Sequence, residues 1–170
     1  MQDVVGIQYG RFRLMDWDGA AGLPDNSPMR NQVAYNDRVK STPNFARIQM
    51  TFDDHRIDVR FELWDGPAPE PKFESSSIRT TTWVGTFYAS SGRVYATELV
   101  DPREHPLVFD LCKPETTWQM RVTLRRLAEE EDEDEDWDEV DDEDWGESTP
   151  MTSDGLEEVL FQFWTPVKQT

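Results

Sequence analysis

Residues 46–63 read ARIQMTFDDHRIDVRFEL, and the reading of this stretch decides the fold class. Ala46, Ile48, Met50 and Phe52 alternate with more polar neighbours, and Ile57, Val59, Phe61 and Leu63 do the same. A period of two gives a strand one apolar face, whereas a helix needs apolar residues three and four apart. Asp53-Asp54-His55-Arg56 separates the two runs, so the stretch predicts a β-hairpin with a four-residue loop. Asp65-Gly66-Pro67-Ala68-Pro69 ends the second run, because proline cannot donate to a ladder.

The same period recurs on both sides. Thr80-Thr81-Thr82-Trp83-Val84 and Thr86-Phe87-Tyr88 are rich in β-branched and aromatic types. Ser90-Ser91-Gly92 predicts a turn, and Val94-Tyr95-Ala96-Thr97 a returning strand, which makes a second hairpin. Leu107, Phe109 and Leu111 alternate, Lys113-Pro114-Glu115 turns, and Trp118, Met120, Val122 and Leu124 alternate again. Val159 to Trp164 predicts a last strand that must pack, since its aromatics are too many to expose. Near the start, Val5, Ile7 and Tyr9 alternate, and the phase slips near Gly10, which predicts a β-bulge. Residues 19–44 are loop-like, with one short helix expected over Met29–Val39. The sum is an all-β chain, a single antiparallel β-sandwich of about eight strands.

The net charge of −18 is a local property. Between Glu129 and Glu147, 15 of 19 residues are acidic and none is basic, while the remaining 151 residues hold 20 acids and 17 bases. Such a balance excludes a dedicated phosphate-backbone binder, whose affinity comes from cations. The segment falls between the Trp118–Leu127 strand and the last strand. It therefore reads as an insertion in a hairpin connection: residues 1–128 and 155–170 form the sandwich domain, and 129–154 form an acidic, Trp-containing loop that is flexible when unbound. Loop closure entropy grows slowly with length, so a sandwich tolerates this. One cysteine, Cys112, excludes an internal disulfide and points to a reducing compartment. No signal peptide is evident, and no apolar run approaches the roughly 20 residues needed to span a bilayer. The expectation is a soluble cytoplasmic protein without membrane or direct nucleic-acid contacts.

Catalytic material is sparse. His55 and His105 fall in predicted loops, where a histidine is ordinarily solvated, and a lone Cys112 is ordinarily a small buried hydrophobe. No nucleophile-elbow, zincin or P-loop pattern occurs, so no enzyme, cofactor or catalytic residue is assigned. Loop carboxylates Asp16, Asp18, Asp53, Asp54 and Asp65 suit Ca²⁺ if their loops meet at one end of the sandwich, which leaves a Ca²⁺-dependent binding module as an alternative.

The segment 129–147 reads EEEDEDEDWDEVDDEDWGE. One reading is a structural or assembly protein whose acidic loop only solubilises. Trp137 and Trp145, with Val140 between, favour another, since acidic stretches with interspersed hydrophobes are interaction segments and Trp is enriched at hot spots. A line of carboxylates resembles a phosphate backbone, so a basic nucleic-acid groove attracts it in a salt-dependent way. The candidate partner-binding residues are Glu133, Asp134, Glu135, Asp136, Trp137, Asp138, Glu139, Asp141, Asp142, Glu143, Asp144 and Trp145, facing a basic protein such as a nuclease or another DNA-binding protein.

Three further stretches carry a family resemblance: Ile7-Gln8-Tyr9-Gly10-Arg11-Phe12; Thr80 to Val84 with Gly92-Arg93-Val94-Tyr95; and Leu107-Val108-Phe109-Asp110-Leu111 with Lys113-Pro114 and Trp118-Gln119-Met120-Arg121-Val122. They resemble the first strand, the central hairpin and the apolar–Asp–Leu, Pro-turn, strand segment of the competence protein J group, small inhibitors of a DNA-entry nuclease. The resemblance implies a non-enzymatic inhibitor or immunity protein, and the acidic insertion departs from the shorter family pattern.

Overall fold

The computed structural model describes residues 1–7, 9–17, 38–52, 55–73, 77–98, 106–127 and 156–166. Ten strands follow in chain order: β1 (Gln2–Gly6), β2 (Arg11–Asp16), β3 (Val39–Thr42), β4 (Phe45–Gln49), β5 (Arg56–Trp64), β6 (Arg79–Ala89), β7 (Arg93–Glu98), β8 (Phe109–Asp110), β9 (Thr116–Arg126) and β10 (Glu157–Trp164). They form two five-stranded sheets, β1-β5-β10-β9-β6 and β3-β4-β2-β7-β8. No helix occurs among the described residues, and none there is long and apolar enough to cross a membrane. The fold is the expected all-β sandwich, with ten strands instead of eight. It departs from a wholly antiparallel one where β10 runs parallel to β5, Phe161 opposite Phe61.

The alternating residues face the core as the period of two requires. Ile57, Val59 and Phe61 are at most 1% exposed, as are Ala46 and Ile48. Phe61 and Phe161 stack with centroids 5.4 Å apart, Phe109 stacks on Phe61 at 5.4 Å, and Phe12 meets Phe161 edge-on at 6.2 Å. Phe12, Phe61 and Phe161, each at most 1% exposed, contribute about 1.5–3 kcal/mol apiece from area removed from water. The last strand packs as expected, with Phe161 and Phe163 wholly buried.

The pairings differ from the sequence reading. β4 pairs with β2 and β3, while β5 pairs with β1 and β10, so residues 46–63 are not a hairpin. β6 pairs with β9 and β7 with β2 and β8, so Ser90-Ser91-Gly92 is not a hairpin turn either. Both connections carry the chain from one sheet to the other. The physical reason is that both sheets face one core. Alternation says which residues point inward, and two strands on opposite sheets show the same alternation as two strands of one hairpin.

Tight arches make the switches possible. Tyr9 and Gly10 take φ of 55° and 63°, so the phase slip is an inter-sheet turn, not a bulge. Gly92 has φ 73°, and a Cβ there would lie 2.7 Å from the Lys113 carbonyl carbon. Val39, placed in a short helix by sequence, instead opens β3, which returns through Pro43-Asn44 into β4; residues 29–37 of that expected helix lie outside the described residues.

A strap follows β5. Arg121, on β9, donates from Nη1 to the Pro69 carbonyl (2.8 Å) and from Nη2 to Glu70 (3.0 Å). Gln162 donates to Glu62 (2.9 Å). This places the strap against the outward side of β10, where Leu160 and Gln162 are 2% and 1% exposed.

Candidate partner-binding site

The acidic segment leaves the sandwich between two neighbouring strands. β9 and β10 pair antiparallel from Gln119 opposite Trp164 to Arg126 opposite Glu157. Beyond that pair the Leu127 amide donates to the Leu156 carbonyl at 2.7 Å. The two ends of residues 128–155 are thus held side by side. The twelve expected contact residues from Glu133 to Trp145 lie outside the described residues, and so do Asp18, Asp53, Asp54 and His105.

Glu157 anchors this root. Its carboxylate accepts the Thr51 amide (3.1 and 3.2 Å) and, at 3.4 Å, the Phe52 amide. His55 Nε2 lies 3.2 Å from Oε2, off the axis of an ideal hydrogen bond. Burial pushes the Glu157 carboxyl pKa up, but the contacts from His55, Thr51 and Phe52 outweigh it and hold the pKa below the ordinary value. His55, expected in a solvated loop, is 4% exposed. The reason is that its connection crosses the core between sheets, carrying Met50 and Phe52 inward with it. Those apolar residues flanking Asp53-Asp54 were the signal for a crossing.

Cations surround the root. Arg126 sits 4.6 Å over the Phe52 ring, Arg125 pairs with Glu158, and Arg38 donates to Thr51 Oγ1 (3.3 Å). Arg38, Arg79, Arg125 and Arg126 line a small cleft with Glu157. Four arginines thus line this cleft beside one carboxylate, Glu157.

The Ca²⁺ alternative loses its geometric premise. Phe52 and His55, the described neighbours of Asp53-Asp54, lie at the start of the nine-residue β5, and Asp65 follows its end. At about 3.3 Å per residue those positions are roughly 30 Å apart. The wholly buried Asp16 carboxylate is already occupied by Ser90 Oγ (3.1 Å), the Ser91 amide (3.1 Å) and Ser91 Oγ (2.9 Å). Among the described residues no group of three or more His, Cys, Asp or Glu side chains gathers. Cys112 is exposed rather than buried, because it takes φ 65° in the β8–β9 arch, with its amide on Asp110 (2.7 Å).

Fold and root together define a two-sheet β-sandwich whose β9–β10 connection has an acidic sequence. No protein-family model matches the chain, and no curated protein matches it. Among solved structures the chain is similar to ComJ, inhibitor of the DNA degrading activity of NucA, from Bacillus subtilis, with a TM-score of 0.53 and 11% identity. The match covers 98% of this chain and 96% of that one. A second structure, described as crocagin biosynthetic gene J, aligns with a TM-score of 0.48 and 16% identity over 98% and 99% of the two chains. The resemblance to the competence protein J group thus holds at the level of the fold.

Proposed function

We propose that this chain is a non-enzymatic inhibitor, an immunity-type protein, that occludes the basic nucleic-acid groove of a nuclease or another DNA-binding protein with residues 129–147. The observation that carries the reading is the pairing at Leu127 and Leu156, which holds side by side the two ends of a segment with 15 carboxylates and two tryptophans. The fold shared with an inhibitor of DNA degradation supports it. Carboxylates draw the partner in quickly and in a salt-dependent way, and Trp137 and Trp145 supply the apolar anchor that exposed ion pairs lack.

The test is capture of a basic nuclease by the full chain at low and moderate salt, beside a full-length variant with the carboxylates of 133–144 changed to amides. Binding and inhibition lost in the amide variant support the reading. Equal binding by both proteins overturns it and moves the site to a face of the sandwich.

A further inference from the structure

β6 forms one edge of the first sheet, with β9 as its neighbour there. The other three sheet edges are short: β1, β3 and β8 have five, four and two residues. β6 has eleven, Arg79–Ala89, with neither proline nor lysine among them. Shortness, proline and lysine are devices that keep an edge from pairing with another chain, and β6 has none of them.

Hydrogen bonding shows which part of this edge is open. Ser41 Oγ donates to the Thr86 carbonyl and the Asn44 amide donates to the Tyr88 carbonyl, both at 2.8 Å. Those carbonyls point away from β9, and the corner of β3 and β4 closes that end of β6. Along a strand every second residue turns its N–H and C=O to the same side, so Thr80, Thr82 and Val84 also face away from β9. Among the described residues their amides and carbonyls have no backbone partner on that side. All three residues are exposed, Val84 by 54%, and Ile78 just before them by 53%. The inward side of the strand is already packed. Trp83 lies against the core and along its own strand, where a Cβ at Gly85 would meet its ring.

The stretch fits a second copy of itself. Antiparallel pairing about Thr81 sets Thr80 opposite Thr82 of the second copy, and their outward amides and carbonyls then exchange hydrogen bonds. The same register sets Val84 opposite Ile78 and Arg79 opposite Trp83. Exposed apolar residues thus meet each other, and Arg79, the one charged residue between Ile78 and Gly85, meets a ring. No like charges stand opposite one another. Each copy carries a net charge of −18, so the two approach against a long-range repulsion that salt screens.

We propose that the chain forms a two-fold dimer in which β6 of one copy pairs antiparallel with β6 of the other across Thr80–Val84. The two five-stranded sheets then continue as one. The contact is small, which makes the dimer weak and reversible at micromolar concentrations.

Sedimentation equilibrium of the intact chain over micromolar to millimolar concentrations, beside amide hydrogen exchange, tests it. The expected result is a monomer–dimer equilibrium that tightens as salt rises from about 0.05 to about 0.5 M, the opposite sign to capture of a basic partner by acidic residues. On dimerisation the amides of Thr80, Thr82 and Val84 gain protection, whereas those of Thr81 and Trp83, which face β9, do not change. Thr82→Pro removes an outward N–H and no bond to β9, so it keeps the fold and weakens the dimer about tenfold or more, one hydrogen bond being lost in each copy. Val84→Lys, at an exposed position opposite Ile78, serves if that variant does not fold. A chain that stays monomeric at millimolar concentration, a dimer unchanged by these substitutions, or a dimer that loosens with salt overturns the proposal. Loss of nuclease capture in Thr82→Pro, with no dimer of the wild-type chain, also overturns it and assigns the edge to a strand of the nuclease. Capture is scored separately, so a monomer that still captures a nuclease sinks only the dimer.

Discussion

His55 and Glu157 meet at the root of the acidic segment, Nε2 to Oε2 at 3.2 Å, with both side chains buried. His55 precedes β5 and Glu157 opens β10, neighbours in one sheet, and the same carboxylate accepts the Thr51 and Phe52 amides that follow β4 of the other sheet. Removing one partner leaves the other buried and unmatched. Glu157→Ala should therefore cost about 3 kcal/mol or more, and Glu157→Gln, which keeps the volume, about 1–3 kcal/mol. Urea unfolding followed by tryptophan fluorescence measures both.

The same carboxylate gives a pH dependence with a definite sign. Its folded pKa lies below the ordinary 4.5, so the unfolded state binds the proton more readily. The stability it contributes is fully present above about pH 4.5 and is lost as pH falls through the folded value. The wild-type chain should lose more stability between about pH 5 and 3 than Glu157→Gln does. Parallel curves for the two proteins would refute this.

Asp16 supports a different junction. Its buried carboxylate collects Ser90 and Ser91, and so fixes the arch from β6 to β7 against the end of β2. Asp16→Ala strands several donors and should cost about 3 kcal/mol, with Asp16→Asn intermediate. Because those oxygens are already committed, millimolar Ca²⁺ should leave the melting temperature of the wild-type chain unchanged; a clear upward shift would restore the calcium reading.

Gly92 is the residue the same arch cannot replace. Its φ of 73° disfavours any side chain, and an added Cβ would meet the Lys113 backbone at 2.7 Å. Gly92→Ala should destabilise by about 2 kcal/mol or more, since strain and a backbone clash add. Gly66→Ala, whose Cβ would meet nothing within 4 Å, is the control.

These junctions also show what the sequence carries and what it does not. The inward faces of Ala46–Phe52, Ile57–Leu63, Trp118–Leu124 and Val159–Trp164 are legible because burial imposes the period of two. Partner choice is not, because Ile48 and Ile57 face one core from different sheets and alternate alike. The four-residue β3 was hidden behind a proline-rich stretch with no alternation long enough to register. His55 and Glu157 were hidden for another reason: a buried polar pair depends on two connections meeting, and neither residue announces its partner. The open edge at Thr80, Thr82 and Val84 needs the order of the sheet before it exists at all. The acidic segment, in contrast, is legible from composition alone, and its root between β9 and β10 follows from two strands adjacent in sequence.

The two kinds of side chain in that segment should separate in binding to a basic nuclease. Carboxylates act through long-range charge, so changing several of them to amides should slow association and flatten the salt dependence. Trp137 and Trp145 act at contact. Each Trp→Ala change should weaken binding by about 2 kcal/mol, mostly through faster dissociation, and leave the salt dependence nearly unchanged. Association and dissociation rates measured at several salt concentrations read both effects. If the tryptophan variants bind as tightly as the wild-type chain, charge alone holds the complex, and the segment acts as a polyanion rather than as an anchored mimic of nucleic acid.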